Sequence, residues 1–157
     1  MKLFPLFFLF TFSLFSCGMK DSGKKLIKDN YTERIELMNT DREFSEVCEE
    51  KGFKAAFVEY IDSNGVLLRP DHLPIVGADA IDYLIQMDDT DFTLEWQPHY
   101  AEVAQSADLG FTYGVYALTP ISQDTTLYGT YVSIWKKCKD GNWKFVLEST
   151  NDGLGAH

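Results

Sequence analysis

The spacing of apolar residues changes near Asp91, and this change restricts the folds that the chain can adopt. Before residue 91, apolar side chains recur every three or four positions, which is the period of a helix. After it, segments rich in Phe, Tyr, Thr and Val are separated by turn signals, as strands are. Helices that precede a run of strands are typical of an α+β domain. The sequence therefore predicts helices packed against an antiparallel sheet.

The helical half is predicted to contain three helices and a short strand pair. The first helix ends at Gly52, which acts as a stop signal. The second starts directly afterwards, because the apolar residues from Phe53 to Ile61 follow the i, i+3, i+4, i+7, i+8 spacing. The predicted order is a helix over 30–51, a helix over 53–61, a turn at 63–65, short strands at 66–69 and 75–76, and a third helix after Gly77.

The strand half is predicted to be a meander. Pro98 lies inside the first part of it and cannot donate a hydrogen bond to a neighbouring strand, so it predicts a bend or a bulge. The last two strands are joined at 140–141 by an Asp-Gly pair, which is a strong hairpin signal. Strands are predicted at 92–97, 100–105, 109–118, 127–138 and 143–150.

The register of this last hairpin decides which side chains face inward. A two-residue loop would set Glu148 opposite Ser133, whereas a three-residue loop with a bulge would set Glu148 opposite Val132. A slip of one residue exchanges the two faces of a strand. The inward-facing set therefore stays open between the two registers.

The first sixteen residues predict a signal peptide. Lys2 is followed by thirteen mostly apolar residues, fewer than the roughly 20 that a spanning helix needs. The run ends in Leu14-Phe15-Ser16-Cys17, which resembles a bacterial lipobox, although an ordinary signal peptide with a chance cysteine is the alternative. We predict a lipoprotein signal peptide at 1–16, a flexible tether at 17–28 that begins with a lipidated Cys17, and a single domain at 29–157.

The charge of the chain excludes one class of partner. It has 14 basic and 24 acidic residues, a net charge of −10, which becomes −11 when residues 1–16 and their one lysine are removed. A nucleic-acid binder needs a basic face, so no nucleic acid is expected. The sequence also lacks Cys/His clusters and phosphate-binding glycine motifs, and neither a metal nor a cofactor is expected. Cys48 is interpreted as a buried free thiol, while its pairing with Cys138 stays open.

A series of short segments, in this order and spacing, resembles the nuclear transport factor 2-like (NTF2-like) superfamily, which includes ketosteroid isomerase and the SnoaL-like cyclases. The closer resemblance is to its group called domain of unknown function 4440. It implies a cone-shaped, curved antiparallel sheet of about four to six strands on three N-terminal helices, a cystatin-like α+β barrel with a cavity. The segments that carry it are DREF at 41–44, AAF at 55–57, GVLLRP at 65–70, PIVG at 74–77, WQP at 96–98, DLGFTYG at 108–114, GTYVSIW at 129–135 and DGNWK at 140–144.

Three charged side chains are candidates for chemistry in such a cavity. Glu148 lies in an apolar strand, and an inward position would raise its pKa and make it a possible general base; an outward, solvated position beside Lys144 is the alternative. Asp41 lies on the apolar stripe of the first helix and is a second candidate base, although a structural role is more common for such an acid. Arg69 could point at an anionic ligand or simply pair with either acid.

Large aromatic side chains with polar tips complete the candidate pocket. Such residues pack cores and interfaces more often than they bind ligands, and that alternative stays open here. The predicted ligand-pocket residues are Arg69, Trp96, Tyr113, Tyr131, Trp135 and Glu148.

Three functions follow as hypotheses. The first is a membrane-anchored lipoprotein of the cell envelope, on the periplasmic or outer-membrane side, that binds a small, partly apolar molecule in its cavity. The second is a SnoaL-like isomerase, cyclase or hydrolase that uses Glu148 or Asp41 as its base. The third is a non-catalytic module that dimerises through the outer face of its sheet. The expected partners are an unidentified small molecule, the membrane through Cys17 and a second copy of the chain.

Overall fold

The computed structural model describes residues 30–154, and the predicted signal peptide, Cys17 and tether lie outside these residues. The predicted order of elements is confirmed, except that the strands predicted at 92–97 and 100–105 form one continuous strand, β3. None of the helices in the described range is long and apolar enough to cross a membrane. The elements are α1 (Tyr31–Lys51), α2 (Phe53–Tyr60), β1 (Ile61–Leu68), β2 (Ile75–Val76), α3 (Ala78–Gln86), β3 (Phe92–Val103), β4 (Leu109–Pro120), β5 (Leu127–Lys137) and β6 (Trp143–Asp152).

The six strands form one curved sheet in the order β2-β1-β6-β5-β4-β3. Strands β3 to β6 make the predicted antiparallel meander, and β1 and β2 are also antiparallel. The expectation of a wholly antiparallel sheet is wrong at one pair, because β1 and β6 run parallel. Parallel neighbours need a long connection, and here that connection is the rest of the chain. The α+β architecture is confirmed, with the sheet open between its edges β2 and β3.

The start of β1 differs from the prediction. Ile61, predicted to end the second helix, begins this strand, and the predicted turn at 63–65 lies inside it. The register explains why these residues read as a turn: Ile61 pairs with Phe145 and Val66 with Leu147, so β1 holds three more residues than β6 over this interval. The Asp62 carboxylate accepts a hydrogen bond from the backbone N–H of Asn64 (2.9 Å) and supports this irregular stretch.

Two β-bulges set the faces of the meander. The bulge predicted near Pro98 is confirmed, because Pro98 pairs with Gly114 and Tyr100 with Tyr113, which leaves His99 without an opposite residue. An added Cβ at Gly114 would lie 2.0 Å from the carbonyl oxygen of Gln97, so this close approach of β3 and β4 requires glycine.

The second bulge lies in β6 at Val146. Trp135 pairs with Phe145, and Ile134 pairs with Leu147. Both registers that the sequence left open therefore occur in one hairpin: the register of the three-residue loop near the turn, and the register of the two-residue loop beyond the bulge. Because of the extra residue, Phe145 and Glu148 are both buried although three positions separate them.

The hydrophobic core lies between the helices and the part of the sheet nearest the β5–β6 turn. Phe44 of α1 lies at its centre, with ring centroids 5.7 Å from Phe145 and 6.1 Å from Trp135. Trp135 is fully buried and donates its indole N–H to Thr112 Oγ1 (2.8 Å), so this polar group is satisfied inside the core. The interior at the other end of the strands, away from that turn, is left for a cavity.

The two described cysteines are free thiols. Cys48 is buried on α1, as predicted, and burial raises its pKa to about 12. Cys138 is partly buried at the end of β5. A neutral, buried thiol such as Cys48 behaves as a small apolar side chain.

Candidate ligand-binding cavity

A cavity of about 240 Å³ lies between the helices and the far end of the sheet. Its walls are mainly aromatic and come from both layers, which is why no single segment of the sequence marks it. Met87, Leu94 and Leu118 add aliphatic surface. The aromatic residues that line it are Phe44, Phe53, Phe57, Tyr83, Phe92, Trp96, Tyr116 and Tyr131.

A buried ion pair forms part of the wall. Arg69 directly follows β1, and the parallel pairing of Leu67 with Glu148 brings it beside that residue of β6. The guanidinium Nη1 of Arg69 contacts Glu148 Oε2, and the two side chains are 13% and 5% exposed. The contact is therefore a close, buried ion pair. Arg69 Nη1 also donates to the carbonyl oxygen of Leu68 (3.1 Å).

The environment of Glu148 favours its protonated form relative to a carboxyl in water. Burial raises the pKa of Glu148, the nearby Arg69 opposes this rise, and the negative charge of Asp41 adds to it. A carboxyl whose pKa is moved toward neutrality can accept or release a proton in the working pH range. The structure thus places the sequence-predicted Glu148 in the cavity, paired with Arg69.

Asp41 lies behind the cavity wall. It is fully buried on α1; its Oδ1 accepts the indole N–H of Trp96 (2.9 Å) and its Oδ2 accepts the hydroxyl of Tyr131 (2.8 Å). Burial raises the pKa of Asp41, and these hydrogen bonds oppose the rise. One turn later on α1, Ser45 Oγ accepts the backbone N–H of Trp96 (2.8 Å). Asp41 therefore holds Trp96 and Tyr131 in place. This is the structural role predicted as the alternative to a catalytic base.

Two of the three tyrosines that line the cavity, Tyr116 and Tyr131, give their hydroxyl protons to carboxylates; the third is Tyr83. Tyr131 donates to Asp41, and Tyr116 donates to Asp152 Oδ1 (2.8 Å) on the exposed end of β6. Burial, and secondly the acceptor carboxylate, raises the pKa of Tyr131, and the same two causes raise the pKa of Tyr116 to about 12. Both phenols remain protonated at neutral pH, and their oxygens face a ligand as acceptors.

Four of the six predicted pocket residues line the cavity: Arg69, Trp96, Tyr131 and Glu148. The prediction is wrong for Tyr113, which is 46% exposed on the outer face because β4 alternates and its neighbours Thr112 and Gly114 face inward. It is also wrong for Trp135, which faces inward but lies on the core side of the β6 bulge.

Sequence reasoning missed Tyr116 and the phenylalanines that α1 and α2 contribute. The pairing of β3 with β4 identifies Tyr116. It lies directly opposite Trp96, so the two side chains share a face of the sheet. Phe44, Phe53 and Phe57 belong to the hydrophobic core, and their rings also line the cavity. Within residues 30–154, no group of three His, Cys, Asp or Glu side chains is arranged to hold a metal ion.

No family model matches the sequence, and no curated protein matches it significantly. Solved structures do match. An NTF2-like protein with a cystatin-like fold from Novosphingobium aromaticivorans has a TM-score of 0.62 and 14% identity over 80% of this chain and 84% of its own. A ketosteroid isomerase-like protein from Erwinia carotovora has a TM-score of 0.60 and 14% identity over 76% of this chain and 96% of its own. An LEH-like epoxide hydrolase from M. tuberculosis has a TM-score of 0.54 and 13% identity over 77% of this chain and 81% of its own.

These likenesses establish the fold. The chain has the NTF2-like, cystatin-like architecture that the sequence resemblance implied. One fold hosts many unrelated activities, so the names of the neighbours describe the neighbours. The narrower resemblance to domain of unknown function 4440 stays a prediction, because no family model matches.

Proposed function

We propose that this chain is a lipid-anchored protein of the bacterial cell envelope that binds one small, partly apolar molecule in its cavity. The observation that carries the proposal is an open space whose walls are aromatic and whose buried polar groups are few and fixed. A concave, mostly apolar site with a small number of placed polar groups is the usual form of a small-molecule site. The Arg69–Glu148 pair supplies the polar contact that would orient the ligand.

The volume of the cavity limits the size of the ligand. About 240 Å³ exceeds the roughly 150 Å³ of an apolar cavity that holds benzene. It falls below the range of about 300–1,000 Å³ typical of sites for drug-sized ligands. The proposed ligand is therefore a molecule of one or two rings, or an aliphatic body of similar size.

A cavity-filling substitution tests the binding function. We expect 2-phenylethanol to bind the full chain in detergent, as measured by titration calorimetry. Leu94→Trp should weaken that binding at least about tenfold, because the larger ring occupies the space that the probe needs. Native mass spectrometry of the same preparation should show a carried-over small molecule that Leu94→Trp loses.

Thr93→Trp is the matched control for this experiment. Thr93 is the neighbour of Leu94 on β3 but is exposed on the outer face, so the same new side chain should leave binding unchanged. If Leu94→Trp bound the probe as tightly as the control, or if the unmodified chain held neither probe nor carried-over molecule, the cavity would not be the site.

The lipid anchor is tested at Cys17. A Cys17→Ser chain lacks the thiol that would carry the lipid, so it should take up no labelled fatty acid in a bacterial host and should move from the membrane fraction to the soluble fraction. Cys138→Ser, which removes a different thiol, serves as the control and should remain labelled. Continued labelling of Cys17→Ser would contradict the lipobox.

An enzymatic use of the cavity is the second candidate function. The observation that favours it is the buried carboxyl of Glu148, whose pKa burial raises, in the wall of a mainly aromatic cavity. Neighbours named as ketosteroid isomerase-like and as an epoxide hydrolase share the fold. In this candidate, Glu148 acts as general base. Arg69 opposes the rise in the pKa of Glu148, and Asp41 positions Tyr131. Recovery of an added compound with an altered mass would favour this candidate over binding alone.

The outer sheet face supports the proposal of a homodimer. Tyr100, Phe111 and Tyr113 are all more than a third exposed there, and the Tyr100 ring lies 5.8 Å from Tyr113 and 6.4 Å from Phe111, centroid to centroid. Grouped, exposed aromatic side chains are enriched at protein interfaces. A second copy of the chain across this face would cover them without closing the cavity on the opposite face.

A further inference from the structure

The cavity offers acceptor oxygens on Tyr116, Tyr131 and Glu148, together with the hydroxyls of Tyr83, Ser133 and Thr150. The hydroxyl protons of Tyr116 and Tyr131 are already donated to carboxylates, which leaves the phenol oxygens to accept. Glu148 Oε2 is buried against the Arg69 guanidinium. The lining cation, Arg69, already contacts Glu148 and the Leu68 carbonyl oxygen through one nitrogen. The two phenol oxygens and the Glu148 carboxylate suit a ligand that brings N–H donors.

The lining charges sum to a negative value. Arg69 contributes one positive charge, whereas Glu148 and Asp152 contribute two negative ones. Asp41 adds a further carboxyl just behind the wall, within hydrogen-bond distance of Tyr131. The chain as a whole also carries a net charge of −10. Such a field attracts cations into a cleft and repels anions.

The ring faces of the wall suit a positive charge as well. Aromatic rings present negative faces, and a desolvated cation over such a face is attracted to it. Phe44, Phe57 and Trp96 form one contiguous part of this wall, with ring centroids 4.6–6.0 Å apart. The same rings would pack against the apolar body of a ligand.

We propose that the ligand is a small organic cation, an ammonium group on an aryl or alkyl body, whose N–H groups donate to Glu148 while the body packs against the aromatic wall. This inference rests on the proposed function and names the chemical class of its ligand. Glu148 and the ligand ammonium form the primary contact, and Arg69 holds the Glu148 carboxylate in place from the other side. Asp152, at the exposed end of β6, adds attraction at the entrance.

Three probes of matched shape test the ligand class: 2-phenylethylamine, 2-phenylethanol and 3-phenylpropanoate, which at pH 7 are cationic, neutral and anionic. Titration calorimetry on the full chain in nonionic detergent gives the three affinities. We expect the amine to bind at least about tenfold more tightly than the alcohol, since a hydrogen bond to a charged group contributes about 1.5–3 kcal/mol. The propanoate should bind most weakly.

Variants locate the charge that is recognised. Glu148→Gln should weaken amine binding at least about tenfold and change alcohol binding less than about twofold, because only the charge is lost. Glu50→Gln, the same substitution at an exposed position of α1, should change neither. Asp152→Asn, at an exposed position where folding is not at risk, should weaken amine binding about threefold through the lost attraction.

Each result has a defined meaning. Tightest binding of the propanoate would overturn the inference and make Arg69 the anchor, and equal binding of amine and alcohol would overturn it as well. An equal loss of both probes in Glu148→Gln would show that shape and not charge is recognised, which also overturns it. If the alcohol binds and the amine gains nothing, the proposed binding function stands without this ligand class. If none of the probes binds, this ligand class is lost, and if no carried-over molecule is found either, the binding function is lost with it.

Discussion

Asp41→Ala should lower the free energy of unfolding by about 3 kcal/mol, because it leaves two buried donors without an acceptor and each costs roughly 1–3 kcal/mol. These donors are the indole N–H of Trp96 and the hydroxyl of Tyr131. Asp41→Asn keeps one acceptor oxygen and should lose roughly half as much. Urea denaturation followed by Trp fluorescence measures both values.

An exposed aspartate provides the comparison for Asp41. Asp82 lies on the solvent side of α3, and Asp82→Ala should change the free energy of unfolding by no more than about 0.5 kcal/mol. The positioning role of Asp41 also predicts that Asp41→Ala disturbs the near-ultraviolet circular dichroism of the aromatic wall, while Asp82→Ala leaves it intact. A loss in Asp41→Ala no greater than that in Asp82→Ala would contradict this account.

Arg69→Met should cost about 3–5 kcal/mol at pH 7, because it leaves the Glu148 carboxylate buried without its cation. Adding Glu148→Leu should restore most of the loss, since a buried ion pair can be replaced by apolar side chains of similar size at little cost. Arg42→Met, which removes an exposed arginine that hydrogen bonds to Asn39, should cost less than about 0.5 kcal/mol.

The loss in Arg69→Met should depend on pH. Burial raises the pKa of Glu148 in the folded chain, and removal of Arg69 raises it further, because Arg69 opposes the shift. A raised folded-state pKa favours folding fully below the unfolded value of about 4.3 and loses this contribution as pH rises through the folded-state value. The deficit relative to the unmodified chain should therefore be small at pH 4 and largest at pH 7 to 8. An equal deficit at pH 4 and 7, or a double variant no more stable than Arg69→Met, would contradict a buried charge as the cause.

The elements of the fold could be predicted because local patterns encode them. The helix at 30–51 and the observed α1, Tyr31–Lys51, differ by one residue, since an apolar stripe and a stop at Gly52 are local signals. The parallel pairing of β1 with β6 is not local: Ile61 and Phe145 meet across most of the domain. The strand predicted at 66–69 is only the second half of β1, because the polar residues at 63–65 in its first half are of the types that also form turns.

The site could be predicted only in part, because register decides which face each side chain occupies. Tyr113 and Tyr116 are equally plausible by residue type, and only the pairing of Tyr116 with Trp96 selects the inward one. Glu148 faces the cavity because a single extra residue, Val146, changes the phase of β6. No local pattern marks that bulge, so the sequence could not choose between the two registers. The hairpin uses one register on each side of Val146. The partners of Asp41 come from β3 and β5 and could not be inferred from α1 alone.

The position of β6 has a consequence for the order of events during synthesis. This strand is made after the other five, yet it lies in the interior of the sheet, with β1 on one side and β5 on the other. Until it emerges, β2-β1 and β5-β4-β3 are separate pieces with unpaired inner edges. The sheet therefore cannot be assembled progressively as the chain leaves the ribosome. Arg69 meets Glu148 in that same last step, so the cavity acquires its buried charge pair only when the whole domain closes.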